Sequence, residues 1–172
     1  MRPLRRVAGF TLIELLVTLS IAAVLLAAAV PSFQSALERH RVANATNEFV
    51  LAFTLARSEA LARGERVAVA PQTPAAWTQG LHVFIDDNDN GTFDAGDTLL
   101  QTIDPLPAQI SVQVVGTGLT QAVSYNDLGL ARHPGSNALA LGRFVLKHNQ
   151  AHARALCFST ARFRLVHAET CS

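Results

Sequence analysis

The sequence predicts an α+β chain in which one very long N-terminal helix precedes a strand-rich head. Three observations carry this. Residues 10–30 form an apolar run broken by a single charge, Glu14. Apolar residues then recur at three- and four-residue spacing as far as Gly64. From Arg66 onward the period drops to two, and clusters of Pro, Gly, Asn and Asp cut the chain into short pieces. With about twenty of the 172 residues in the apolar run, the rest suits one domain with one core.

The apolar run sits behind a short leader carrying Arg2, Arg5 and Arg6. As a helix its 21 residues reach about 31 Å, enough to cross a bilayer's hydrocarbon core. A removable secretory signal carries its small residues after the apolar stretch, whereas Gly9 comes before it. Cleavage after Gly9 therefore leaves the hydrophobic segment on the mature protein, with Phe10 at the new N-terminus. An acid such as Glu14 at the bilayer centre costs about 2.5–3.5 kcal/mol, so it either finds a partner or reaches the headgroups. The basic leader places the N-terminus in the cytoplasm and the remainder across the membrane. In a bacterium that compartment is oxidising, and Cys157 and Cys171 are expected to be bridged, the alternative being two separate buried thiols.

Gly9-Phe10-Thr11-Leu12-Ile13-Glu14, the apolar run and Pro31 together resemble the type IV pilin and pseudopilin class. The resemblance implies that prepilin peptidase removes residues 1–9 on the cytoplasmic side and methylates the Phe10 amine. It implies that Glu14 pairs with the Phe10 amine of a neighbouring subunit, setting axial register as an inner-membrane assembly platform builds the fibre. Its partners would be other pilins or pseudopilins, packed through the N-terminal helix.

Pro31 removes a backbone donor and crowds the preceding turn, so it is expected to kink or locally open the helix. Beyond it Val42, Ala45, Phe49, Ala52, Phe53, Ala56 and Ala60 line one face, while Arg41, Asn44, Glu48 and Arg57 lie elsewhere around the cylinder. Gly64 supplies a stop. A helix over 10–63 is about 80 Å long, too long for one globular layer, so its first half belongs in a membrane or among other subunits. Asn47-Glu48-Phe49, Leu55-Ala56-Arg57-Ser58-Glu59-Ala60 and the following Arg66-Val67-Ala68-Val69 resemble the GspH/FimT branch of minor pilins and pseudopilins. The resemblance implies a long helix packed on an antiparallel sheet. The organisation expected is a leader over 1–9, a transmembrane and assembly helix over 10–30, its amphipathic continuation over 31–64, and a periplasmic head over 65–172.

Charge is segregated along the chain. Residues 65–130 carry Arg66 against Glu65, Asp86, Asp87, Asp89, Asp94, Asp97, Asp104 and Asp127, a balance of −7. Residues 131–172 carry Arg132, Arg143, Lys147, Arg154, Arg162 and Arg164 against Glu169, a balance of +5. In the acidic part, strands are expected at 66–70, 81–85, 98–103, 110–115 and 122–125. Trp77-Thr78-Gln79-Gly80 and Val83-Phe84-Ile85-Asp86 again resemble the GspH/FimT branch.

Residues 86–97, DDNDNGTFDAGD, fit a calcium-loop template, with Asp86, Asn88, Asn90, Asp94 and Asp97 turned inward and Gly91 at the sharp turn. The twelfth residue is Asp rather than Glu and strands flank the loop, so a polar hairpin loop is the other reading. Apart from calcium, no cofactor is expected.

In the basic part, strands are expected at 143–147, 154–158 and 162–167. Some FimT-type proteins bind DNA through this region, and Arg143, Lys147, Arg154, Arg162 and Arg164 form a candidate stripe for phosphates. Such binding is sequence-independent. A solvated or intersubunit basic face is the alternative. Ala161 stands where the family carries Gly before Arg-x-Arg. His148 and His152 have helix-like spacing, but Asn149 and Gln150 between them read as a turn and no third ligand is close in sequence. No nucleophile–base set or phosphate-cradling loop is visible, and enzyme activity is not expected. The function expected is that of a minor pilin that starts type IV pilus assembly, possible DNA uptake included, with a type II secretion pseudopilin as the alternative.

Overall fold

The computed structural model describes residues 9–149, 152–159, 163–167 and 170–171. Helix α1 (Leu12–Arg63) opens at Thr11, whose hydroxyl accepts the Glu14 amide at 3.3 Å, and Thr11-x-x-Glu14 has the spacing of a capping box. The helix runs on through Pro31, although the missing amide there leaves one carbonyl of the preceding turn without its helical donor. It ends where the Gly64 amide donates to the Ala60 carbonyl at 2.9 Å, with Gly64 in the left-handed region at φ 69°.

The chain divides into two units, one up to Leu37 and one from Glu38. In the first unit the large apolar side chains are exposed: Phe10, Leu12, Ile13, Leu16 and Leu25 are all more than half exposed. Its most apolar window is long enough to span a membrane, and none of it is buried.

The second unit is the head. Its strands are β1 (Val67–Pro71), β2 (Leu81–Ile85), β3 (Thr98–Ile103), β4 (Ile110–Thr117), β5 (Val123–Tyr125), β6 (Ala131–Arg132), β7 (Leu141–His148), β8 (His152–Phe158) and β9 (Phe163–Val166). They form two antiparallel sheets, ordered β3-β2-β1-β5-β6 and β4-β7-β8-β9, where the sequence led us to expect one. Strands β2 and β3 fall on their expected bounds. β6 was not expected, since two residues are too short to show a period. In β4 and β7, Gly116 and Gly142 face each other in register, and a Cβ on either would run into the opposite strand's carbonyl.

All seven residues of the expected helix face are buried. They meet Val67, Val69 and Val83 of the first sheet and Phe144, Leu146, Leu156 and Phe158 of the second in one core. Trp77, in the β1–β2 loop, joins this core against Phe144, with ring centroids 4.6 Å apart, and donates its indole N–H to the Thr120 carbonyl at 3.0 Å.

Candidate functional site

Thr11 caps the helix through a backbone amide, so the Glu14 carboxylate sits in the first turn, where the helix dipole favours a negative charge. Apolar residues surround it in sequence, and none of them is covered by this chain. The leader arginines lie outside the described residues.

The acidic loop joins β2 to β3 and is closed by its own hydrogen bonds. Asp86, 2% exposed, accepts the Asn90 amide at 3.1 Å and the Gly91 amide at 2.9 Å. Asp94 accepts both side-chain amides of Asn88 and Asn90 at 2.9 Å, and Asp97 accepts the amides of Asp87 and Asp94. Gly91 takes the left-handed conformation at φ 70°. Of the five expected side chains, Asn88, Asn90 and Asp94 thus bond to one another while Asp86 and Asp97 bind backbone amides of the loop, and Arg66 pairs with Asp89. Among the described residues no three carboxylates, imidazoles or thiols gather as a metal-holding group.

These contacts shift the two key carboxyls in opposite directions. Desolvation pushes Asp86 up, against the pull of the Gly91 and Asn90 amides, while hydrogen bonds from Gly96, Asn88 and Asn90 hold Asp94 below its ordinary value. The lowered group stabilises the fold above 3.8, its ordinary value, and loses that contribution as pH falls through its folded pKa. The raised Asp86 acts oppositely, favouring the fold only when protonated. Asp94→Ala is therefore expected to destabilise the head at neutral pH and to lose its effect in strong acid. Denaturant unfolding at the two pH values checks this.

Of the four described basic residues of the expected stripe, three share one sheet face and Arg154 lies on the other. In register, Arg143 faces Cys157, which faces Arg164, and Lys147 lies on the same side of the second sheet. Arg154 instead faces Leu146 and shares its row with Leu156 and Phe158, the side turned to the core. The second half of β8, residues 155–158, is apolar on both faces, so alternation alone does not reveal which side its arginine takes. Arg162 lies outside the described residues, as does Ala161.

The family described as "Type II transport protein GspH" matches residues 45–162, and the prokaryotic N-terminal methylation motif matches residues 4–30. The chain belongs to the GspH family. Membership implies assembly with other pilins and processing by a peptidase, and the family is structural rather than enzymatic. No curated protein matches by sequence. Two crystal structures of the type IV minor pilin FimU from Pseudomonas aeruginosa share the fold. In space group P21 the TM-score is 0.59 at 19% identity, covering 78% of this chain and 98% of that one. In P65 the values are 0.55, 18%, 75% and 98%.

In this GspH-family head Cys157 and Cys171 are joined, with Cα atoms 5.8 Å apart across a separation of 14 residues. Cys157 packs with Val145 and Ala155 on the outer face of the second sheet, so the bridge ties Cys171 to β8. Closing a loop of that length is worth about 3 kcal/mol. The double variant Cys157→Ala/Cys171→Ala is expected to unfold that much more easily, and wild type treated with reductant should match it in the same denaturant titration.

Sequence reasoning missed Glu38. Its carboxylate lies 3.8 Å from Nδ1 of His148 and 3.7 Å from Nε2 of His152, the pair noticed for its spacing. His148 is buried with neither ring nitrogen hydrogen-bonded. The spacing of the two histidines was visible, but the helical carboxylate between them depends on tertiary packing.

Proposed function

We propose that the chain is a minor pilin of a type IV pilus. On this reading it is cleaved after Gly9, methylated on Phe10, held in the inner membrane with its head in the periplasm, and then helps start the fibre. The observation that carries the reading is the apolar helix of the first unit, uncovered within the chain and interrupted by one acid. In water such a surface is costly, at about 25 cal/mol per Å². It calls for lipid before assembly and for other helices after it, and Glu14 is then the polar group that selects between neighbours.

A minor pseudopilin of type II secretion is the second reading, favoured by the family's own description. DNA uptake has support only from the row of Arg143, Lys147 and Arg164 on one sheet face. In-frame deletion in the producing bacterium, complemented with the wild-type gene, separates the first two readings. Loss of surface fibres and twitching supports the pilus. Loss of secreted protein with fibres intact supports secretion and overturns the pilus reading.

A further inference from the structure

A pocket of about 320 Å³ opens on the head between α1 and β8, a volume at the small end for ligand sites. It is lined by Arg39, Val42, His152, Ala153, Arg154 and His167, with no carboxylate among the described lining residues. Three parts of the chain supply the positive or protonatable side chains: α1 gives Arg39, β8 gives His152 and Arg154, and the residue after β9 gives His167.

Arg154 is the informative one. It occupies the core-facing row of its sheet, opposite Leu146 and two residues before Leu156. It is half-buried, and among the described residues its side chain has no ion pair or hydrogen bond. The nearby Glu38 does not serve it, because that carboxylate faces His148 and His152. Its guanidinium adds a fork of N–H donors to this basic pocket, and that fork suits a phosphate's oxygens.

We propose that Arg39, His152, Arg154 and His167 form a binding site for a phosphate group of lipid-headgroup size. The site is separate from the outer face that carries Arg143, Lys147 and Arg164, and it does not depend on which fibre the protein enters. The phosphate comes from an anionic phospholipid of the membrane in which the chain is anchored, or from free phosphate.

The test uses the full chain in an uncharged, phosphate-free maltoside micelle at constant ionic strength. One arm titrates inorganic phosphate and the other dopes in phosphatidylglycerol, each followed by the melting temperature of the head and by ³¹P line width. Binding only to the native state raises the melting temperature with ligand concentration. A rise with phosphatidylglycerol alone assigns a lipid headgroup, and a rise with both assigns the phosphate group itself. Arg154→Gln is expected to weaken the apparent affinity about tenfold or more, the loss of a charge-assisted hydrogen bond. Arg39→Gln should do likewise if the first variant folds poorly. Arg164→Gln, on the opposite face, should leave it unchanged. No response to either ligand, or an equal loss in Arg164→Gln, overturns the site.

Discussion

Phe53→Ala is expected to destabilise the head by about 3–5 kcal/mol, the largest loss we anticipate from one side chain. The residue is fully buried in the second half of α1. Its ring lies 4.9 Å from that of Phe158, 5.5 Å from Phe144, 6.2 Å from Phe49, and 6.3 Å from both Trp77 and Phe163. These partners come from β7, β8, β9, the β1–β2 loop and the helix itself, so truncation opens a cavity where the helix meets the second sheet. The partners are rigid rings held by other contacts, and such a site collapses poorly. A domain of this size is stable by only about 5–15 kcal/mol, so the variant approaches the limit of folding. Leu61→Ala, on the same helix but 51% exposed, should cost well under about 1 kcal/mol. Denaturant unfolding of both, followed by near-ultraviolet signals from Trp77, checks the contrast; equal losses would mean that the helix, not the aromatic core, sets the stability.

The helix face that holds Phe53 was legible because a 3.6-residue period repeats over many turns, and seven apolar positions agreed on one side. Strands β2 and β3 were legible because turn-forming residues bound them at both ends. The division into two sheets was not, because pairing is a property of register: β1 pairs with β2 and with the more distant β5, and nothing in its own five residues selects them. Arg154's place off the basic face has a related cause. Ala155-Leu156-Cys157-Phe158 is buried on both faces, so the period of two that assigns sides elsewhere is silent there, and only pairing with β7 turns Arg154 inward. The acidic loop was recognised as a composition, whereas its hydrogen-bonded closure depends on backbone amides that a residue template does not describe. Glu38 was unreadable as a site residue because its histidine neighbours lie more than a hundred residues away.

Glu14→Ala is expected to leave the precursor made, inserted and cleaved after Gly9, yet to reduce its incorporation into fibres by about two orders of magnitude. The estimate converts the roughly 2.5–3.5 kcal/mol that an acid costs within a membrane, which a partner recovers, into an equilibrium ratio. Insertion should not suffer, since alanine is the best helix former and removes the only charge from the apolar run. The helix start should not suffer either: Thr11 caps it through the Glu14 backbone amide, which the substitution keeps. What disappears is the carboxylate alone, and with it the pairing to the Phe10 amine of a neighbouring subunit that the pilin resemblance implies. Glu14→Gln separates charge from polarity. It retains a hydrogen-bonding side chain of the same length, and it should fail nearly as badly if an ion pair sets the register. Immunoblots of the membrane fraction report processing and level, and blots of sheared fibres report incorporation. Wild-type amounts of the Glu14→Ala protein in the fibre fraction would remove the pairing from the assembly mechanism, and the apolar packing of the helices would then have to set register by itself.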